Sequence, residues 1–275
     1  MYLTQLSFGP RIGRQSRDTL AAVAEDYLGS LCRNGQTYGR SCSAWVEGNF
    51  VAYLYAARPD ALELRFHSEW SARALDAATT SFGQPPTWQI LDDRKPVRNR
   101  PWQRSSSLYL FTHAFDSTSP ICCGDTGEPI PMYLLPIDQL LRERLYFWSR
   151  DYSDIDSLCL SCGGLEIPAY KQMADPESEH AQSGRDYCAQ IEQATGKPTY
   201  FFLHRYWGRR EGESDRPCPQ CGNPWSVDRA SSSSDDFHEF PFRCEPCRLV
   251  SEVASTVEDE RHARIGEYRP PRPSL

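Results

Sequence analysis

The chain has 275 residues, a formal net charge of -7 and an isoelectric point near 5.4. Its 39% apolar and 24% charged composition is ordinary for a globular protein, so a packed core is expected. The acidic balance argues against extensive coating of DNA or RNA, because phosphate binding needs concentrated Lys and Arg, but it leaves room for a local basic face. No apolar run approaches the roughly 20 residues that cross a bilayer, and the start MYLTQLSFG lacks the features of a secretory signal. We therefore expect a cytoplasmic protein.

Residues 1–93 alternate between strand and helix signals. The predicted elements, in chain order, are a strand at 2–8, a helix that Ser16 caps, strands at 42–47 and 50–56, a short added strand at 62–66, a helix that Ser68 opens and Gly83 ends, and a strand at 87–91. Gly48-Asn49, between the two middle strands, is a favoured hairpin dipeptide. The order β-α-β-β-α-β is typical of a ferredoxin-like sandwich, so the fold class is predicted as α+β with a ferredoxin-like domain at 1–93.

The composition changes at residues 94–106. The stretch DDRKPVRNRPWQR, residues 92–104, has two prolines, five basic residues and no period. This pattern predicts a solvated linker between domains. The alternative is a basic strip in which Trp102 stacks on bases.

The middle region, residues 107–213, is predicted to be α+β and contains a repeat. CGDTGEPIPMY at 123–133 resembles CLSCGGLEIPAY at 159–170, which predicts two knuckle-like hairpins, although Thr126 stands where the first copy would have its second cysteine. The favoured interpretation is a degenerate second metal site whose hairpins pack without metal. A surviving three-thiolate site, completed by Cys188 or a histidine, and a redox pair are the alternatives. The cysteines of this candidate second site are Cys123, Cys159 and Cys162.

Residues 214–254 carry the strongest motif of the chain, C-x2-C-x22-C-x2-C, formed by Cys218, Cys221, Cys244 and Cys247. Two thiolates two residues apart on a tight turn supply half of the tetrahedron that zinc prefers. A segment of about 40 residues buries too little surface to fold alone, so the metal is expected to supply stability. We predict a C-terminal zinc ribbon with one structural Zn2+ in a tetrahedral site of four cysteines. Four protein thiolates leave no open coordination position, which argues against a catalytic metal.

Signals for catalysis are poor elsewhere in the sequence. The histidines are scattered, and none stands in a nucleophile or metalloprotease pattern. ATGKPT at 194–199 lacks the first glycine of a phosphate-binding loop, and Pro198 interrupts its Lys-Thr pair. We therefore expect no enzyme and no small-molecule cofactor.

The stretch YFFLHRYWGRR, residues 200–210, is the best candidate surface for nucleic acid. It interleaves arginines with aromatic residues, the mixture that holds phosphates and stacks bases. The candidate residues are Arg205, Tyr206, Trp207, Arg209 and Arg210. The alternative is a strand at the edge of the core, whose aromatic residues are buried and whose arginines pair with Glu211 and Glu213.

The end of the chain, residues 255–275, is charged and proline-rich. Such a composition offers little apolar surface to bury. The sequence therefore predicts a disordered tail.

The paired cysteines, GKPTYFFLHRYWG and CGDTGEPIPMY together resemble an uncharacterised bacterial family whose members are described as zinc-ribbon-containing and are suspected of binding nucleic acid. The likeness runs from MYLTQLSFG to CRLVS and implies a zinc ribbon and a binding role. It carries over the four ribbon cysteines as ligands, whereas Thr126 departs from a full knuckle. The expected function is a non-enzymatic binding protein. Its first candidate partner is single-stranded nucleic acid, and the alternative is a basic protein bound by an adaptor or inhibitor.

Overall fold

The computed structural model describes residues 1–91, 101–227 and 240–270. Most of the predicted linker, at 94–100, lies outside these residues. The chain divides into two compact units, and each is considered by itself. Unit 1 comprises Met1–Asn99, Ser117–Ser119 and Ile130–Tyr146, and unit 2 comprises Arg100–Asp116, Pro120–Pro129 and Phe147–Leu275.

Unit 1 contains a four-stranded sheet and two helices that pack on one of its faces. The elements are β1 (Tyr2–Pro10), α1 (Arg17–Arg33), β2 (Thr37–Val46), β3 (Asn49–Ala56), α2 (Glu69–Phe82) and β4 (Thr87–Ile90). The strand order is β2-β3-β1-β4, and all neighbours are antiparallel. This is the β-α-β-β-α-β order that the sequence predicts, and membership of the ferredoxin-like class remains a prediction.

Local side chains fix the ends of both helices. The hydroxyls of Ser16 and Ser68 accept hydrogen bonds from the backbone N–H of Thr19 and Ser71 at 3.0 and 3.1 Å, as N-caps do. Helix α2 ends at Gly83, whose φ of 72° is the left-handed conformation that favours glycine. These predicted boundaries are confirmed because each depends on residues one turn apart.

The core of unit 1 lies between the helices and one face of the sheet. Alternate residues of β1 and β3 point into it, as expected for strands with one covered face. The largest fully buried members are Leu6, Phe8, Leu20, Leu31, Phe50 and Phe82.

The predicted added strand at 62–66 is wrong. Leu64–Phe66 forms a 3-10 helix instead. Leu64 is 71% exposed, whereas Phe66 packs against the ring of Tyr133 at 4.9 Å. The alternation of apolar residues therefore does not mark one face of a sheet. The β2–β3 turn also lies one residue earlier than predicted, with Glu47 and Gly48 at positive φ.

Unit 2 contains a five-stranded mixed sheet with helices. Its elements are β5 (Leu108–Leu110), β6 (Ile121–Cys123), α3 (Gln139–Leu160, of which the residues from Phe147 belong to unit 2), α4 (Glu166–Ala174), α5 (Glu179–Thr195), β7 (Thr199–Leu203), β8 (Phe242–Cys244), β9 (Leu249–Ser251) and α6 (Glu260–Ala263). The strand order is β6-β5-β7-β9-β8. The three central strands are parallel, and β6 and β8 join the edges antiparallel.

The middle region and the ribbon share this sheet, although the sequence predicts them as separate regions. Strand β9 follows the last ribbon cysteine and pairs in parallel with β7, so that Phe202 lies opposite Val250. Val250 is fully buried. The ribbon strands are therefore the continuation of the unit 2 sheet.

Of the two predicted knuckle-like hairpins, the first is confirmed and the second is wrong. In the first copy, which follows β6, the N–H of Gly127 donates to the C=O of Cys123 at 2.9 Å and the N–H of Cys123 donates to the C=O of Glu128 at 3.0 Å, with Gly127 at φ 72°. The second copy runs from the last turn of α3 into α4. Its Pro168 lies in the first turn of α4, where the missing N–H of proline is tolerated. The same Ile-Pro dipeptide therefore occurs in two different backbone conformations.

Residues 255–270 differ from the predicted disordered tail. They include α6, and Ala263 is fully buried. The C=O groups of Ala263 and Ile265 accept hydrogen bonds from Arg205 at 2.7 and 3.3 Å. The charged composition predicts a solvated segment because composition alone does not show which charged residues form ion pairs. Residues 271–275 lie outside the described part of the chain.

None of the helices in the described ranges has the length and apolar character that a membrane span requires.

Candidate metal centre

Four cysteine side chains converge at the β8 edge of the unit 2 sheet. Cys244 is the last residue of β8, and Cys247 lies in the turn to β9. The Sγ atoms of these two and of Cys218 and Cys221 all lie within 4.8 Å of one another. Two of the four residues are buried and two are half-buried. The predicted ligands therefore lie together, and the cluster can hold a metal ion.

The distances between sulfur atoms fit a tetrahedral metal. With metal–sulfur bonds of about 2.3 Å, neighbouring sulfurs of a tetrahedron are about 3.8 Å apart. The Sγ atoms of Cys221 and Cys244 are 3.7 Å apart. Burial raises the pKa of the Cys218 thiol to about 12, so a metal ion must displace its proton to gain a thiolate. The donor set accordingly suits a cation that bonds strongly to sulfur.

The first pair of cysteines lies on a tight turn, residues 218–222, which we name knuckle 1. The N–H of Gly222 donates to the C=O of Cys218, and the N–H of Cys218 donates to the C=O of Asn223, both at 2.8 Å. Gly222 has a φ of 76°, which glycine adopts without strain. A Cβ at this position would lie 2.7 Å from the ring of Tyr268. Glycine therefore serves both the turn and a close contact with the end of the described chain.

The second pair lies on an equivalent turn, residues 244–248, which we name knuckle 2. Arg248 stands at the position that Gly222 occupies in knuckle 1. Its φ is 51°, in the same left-handed region. A non-glycine residue in that region costs roughly 1–2 kcal/mol of backbone strain. An arginine at this position implies that its side-chain contacts stabilise the folded state by an amount comparable to this strain.

The Arg248 side chain anchors knuckle 2 to α5 and β7. Its Nε donates to Glu192 Oε2 and its Nη2 to Glu192 Oε1, both at 2.9 Å. The guanidinium also lies over the ring of Tyr200, 5.5 Å from its centroid. The hydrogen bond from Arg248 lowers the pKa of the Glu192 carboxyl. Sequence reasoning missed this pair, and its one signal was the arginine that follows the second C-x-x-C where glycine follows the first.

The candidate second metal site is not assembled. Cys123 is buried with its Sγ 3.1 Å from the hydroxyl of Ser105, and Cys162 is exposed in a turn with φ 52°. Across residues 1–91, 101–227 and 240–270, the ribbon cysteines are the only group of three or more His, Cys, Asp or Glu with ligand atoms within 4.8 Å of one another. Cys159 does not join the other two because the repeat forms two different structures.

Two of the five candidate nucleic-acid residues are buried in unit 2. Arg205 is 2% exposed and Trp207 is 7% exposed. Arg205 donates to both carboxylate oxygens of Glu213, at 2.9 and 2.8 Å. Trp207 packs edge-on against Tyr170, with 4.6 Å between ring centroids. Both residues follow the end of β7, and their burial and the pairing of Arg205 with Glu213 match the alternative interpretation.

The other three candidates lie nearer the surface. Arg209 donates to the two oxygens of Glu267 at 2.6 and 2.7 Å. Arg210 is exposed. The ring of Tyr206 is 40% exposed. The five residues therefore do not form one continuous binding surface.

Arg205 belongs to a buried charge network, of which the sequence alternative included the pairing with Glu213 but not Arg216. Arg216, two residues before the first ribbon cysteine, is 5% exposed and lies 3.2 Å from Glu213. Its Nη2 donates to the hydroxyl of Ser251 at 2.8 Å, and its guanidinium lies 4.0 Å from the centroid of the Phe242 ring. Burial, with the neighbouring Arg205, lowers the pKa of Arg216 to about 10. The network joins the segment before knuckle 1 to β8 and β9.

Fold and site together define an α+β protein with a four-cysteine cluster that can hold a metal ion. The chain matches three family models, each described as a domain of unknown function: DUF8589 over residues 1–92, DUF2310 over 103–204 and DUF8594 over 208–257. No solved structure matches the chain.

Two proteins of Haemophilus influenzae, both described as uncharacterized, are similar to this chain. They are 35% and 34% identical to it over 147 residues, which are 53% of this chain. The match covers 70% of the first relative and 54% of the second, so it spans about half the length of the second. The chain belongs to the same bacterial family as the first of these proteins.

Proposed function

We propose that this chain is a non-enzymatic protein that holds one structural zinc ion and acts by binding another macromolecule. The observation that supports the zinc best is the four-sulfur cluster, with 3.7 Å between the sulfurs of Cys221 and Cys244. Four cysteine thiolates in a tetrahedron are the usual ligands of structural zinc. Because they fill all four positions, a substrate has no place to coordinate. The metal is therefore proposed as structural.

In this proposal the zinc ion joins two turns that are distant along the chain. Knuckles 1 and 2 are separated by 22 residues between Cys221 and Cys244. Arg248 ties knuckle 2 to Glu192 on α5, and Arg185 of the same helix donates to Gln220 of knuckle 1 at 2.7 Å. Zinc adds a direct link between the two knuckles, which α5 already contacts, and stabilises the β8–β9 edge of the sheet as a zinc ribbon.

Elemental analysis tests the metal directly. A tetrahedral site of four thiolates also suits iron, so the protein is expressed with both metals supplied. We expect about one zinc per chain, and release of that zinc in Cys218→Ser and Cys244→Ser. Cys162→Ser is the matched control because Cys162 lies outside the cluster, and it should keep its zinc. Coloured, iron-loaded protein or metal-free protein would contradict the proposal.

We also propose that unit 1 belongs to the ferredoxin-like class. The supporting observations are the antiparallel strand order β2-β3-β1-β4 and two helices packed on one face. We propose a reducing compartment, the cytoplasm, for the whole chain. All eleven cysteines lie in the described ranges and none of them forms a disulfide there, and four of them must remain reduced to bind metal.

Single-stranded nucleic acid is the first candidate partner. The buried positions of Arg205 and Trp207 do not support residues 200–210 as its binding surface, so another surface must supply the contacts. The second candidate is a basic protein. It is favoured by the outer face of α3, where Asp151, Asp154 and Leu158 are exposed together.

A pull-down with the full chain separates the two candidates. Lysate treated with nuclease should lose the captured material if the partner is nucleic acid. A protein complex that survives nuclease and is lost in Asp151→Lys with Asp154→Lys would favour the second candidate.

A further inference from the structure

The face of the unit 1 sheet that points away from α1 and α2 has an unusual composition. An antiparallel sheet with one covered face normally places polar and charged residues on the other face. Here the four strands contain a single charged residue, Arg40, in a chain whose net charge is -7. We name this surface the open face. Its strands are free of the acidic groups that repel a polyanion.

Two tyrosines stand side by side on the open face. Tyr53 and Tyr55 alternate along β3 with the buried residues Ala52, Leu54 and Ala56, so both rings point outward. They are 39% and 42% exposed. Residues two apart on a strand are separated by about 6.6 Å. The pair therefore offers two neighbouring aromatic surfaces on a rigid central strand.

A pair of amide side chains lies beside the tyrosines. The register places Tyr53 opposite Gln5 of β1, and Gln5 opposite Gln89 of β4. Gln89 Nε2 donates to Gln5 Oε1 at 3.1 Å, so both amides lie on the open face. The Gln5 NH2 group and the Gln89 oxygen remain as a donor and an acceptor. Such groups can read the edge of a base.

We propose that the open face binds single-stranded nucleic acid. The bases stack on Tyr53 and Tyr55, and base edges meet the amides of Gln5 and Gln89. Sheet-borne aromatic rings that stack unpaired bases are a general mode of single-strand recognition. The proposal rests on the binding role proposed above and names its surface, but it does not depend on the zinc.

The charge of the open face favours a single strand over a duplex. A duplex hides its base faces, so its binding depends on many phosphate contacts. With Arg40 as the one cation of the strands, the open face offers few such contacts. Stacking is independent of salt, so we expect a shallow dependence of log affinity on log salt, with a slope of about -1.

The test is a titration of full-length, zinc-loaded protein with labelled 12-nucleotide single-stranded RNA and DNA of mixed sequence at 50 mM salt. A 12-base-pair duplex serves as the comparison and should bind at least about 10-fold more weakly. Tyr53→Ala and Tyr55→Ala should each weaken single-strand binding about 5- to 100-fold, the range for loss of one stacked base. Tyr53→Phe and Tyr55→Phe keep the ring and should retain most of the affinity.

Tyr206→Ala is the matched control. Tyr206 lies in unit 2 and is 40% exposed, close to the exposure of the two tyrosines of the open face. It should leave affinity unchanged, and circular dichroism should show that each variant is folded. If Tyr206→Ala weakens binding and Tyr53→Ala leaves it unchanged, the proposal that the open face is the binding surface is overturned. If zinc-loaded protein binds neither single strand, the proposal of nucleic-acid binding is overturned. Zinc content is measured on the same sample, so that this outcome can be distinguished from failure of the metal proposal.

Discussion

The two sheets of this chain are held together by different chemistry. Strands β1 to β3 of unit 1 are 8 to 10 residues long and pair with one another within the first 56 residues, over an aliphatic and aromatic core. Strands β5, β6, β8 and β9 of unit 2 have three residues each and come from distant parts of the chain. A three-residue strand makes few backbone hydrogen bonds, so the unit 2 sheet depends on its cysteines and buried charges in addition to its own apolar core, which includes Phe201, Leu249 and Val250.

Removal of the metal should give the largest difference between the two units. Structural zinc contributes on the order of 10 kcal/mol of binding free energy in small modules, and unit 2 should lose at least about 3–5 kcal/mol of stability without it. Hydrogen exchange measured before and after chelation is the test. Amides of β8 and β9 should exchange much faster, whereas amides of β1 and β3 should be unchanged. Equal loss of protection in both sheets would contradict the comparison.

Loss of the buried charge network should be the next largest effect. Arg205→Ala leaves Glu213 without its bidentate partner, which typically costs 3–5 kcal/mol when a buried pair is broken. Arg209→Ala is the matched control. Arg209 also pairs with a carboxylate, but its side chain is 43% exposed, so the loss should stay below about 1 kcal/mol. Urea unfolding followed by tryptophan fluorescence measures both variants, and similar losses would mean that burial does not set the strength of these pairs.

The sequence predicted those features of this chain that depend on neighbouring residues. Ser16, Ser68 and Gly83 end their helices as expected, since a cap needs only one turn of chain. Within each pair of ribbon cysteines the two residues lie close together because only two residues separate them along the chain. Zinc itself, the ferredoxin-like class and the absence of enzymatic activity remain predictions.

Features that depend on distant partners could not be predicted. The sequence offered burial of Trp207 and pairing of Arg205 with Glu213 only as an alternative, and it gave no sign of the contacts with Tyr170 and with the segment after residue 255. The parallel pairing of β7 with β9 likewise leaves no local signal. Tyr53 and Tyr55 lie in the strand predicted at 50–56, but the position of Tyr53 beside Gln5 and Gln89 depends on the register with β1 and β4, which has no local signal.

Acid should weaken unit 2 through one half-buried histidine. The ring of His180 stacks on Trp148 with 4.8 Å between centroids, and burial lowers its pKa from 6.5 to about 4. Since the folded state disfavours the charged ring, this stability is complete above pH 6.5 and is lost as the pH falls toward 4. We expect a loss of about 2 kcal/mol between pH 7 and 4.5. The comparison is His180→Phe, which cannot titrate, measured by urea unfolding at both pH values. An identical pH dependence in wild type and variant would assign the acid sensitivity to other groups.

The smallest expected effect separates the backbone of knuckle 2 from its side chain. Arg248→Ala and Arg248→Gly both remove the pair with Glu192, so the difference between them reports only the left-handed backbone. At an ordinary helical or extended position, Gly would be less stable than Ala by roughly 0.5–1 kcal/mol. At φ 51° the order should reverse, with Arg248→Gly more stable by about 1 kcal/mol. Thermal unfolding of the zinc-loaded variants measures this difference. If Arg248→Ala is instead the more stable, then knuckle 2 does not repeat the backbone of knuckle 1, and the Glu192 pair is not what offsets its strain.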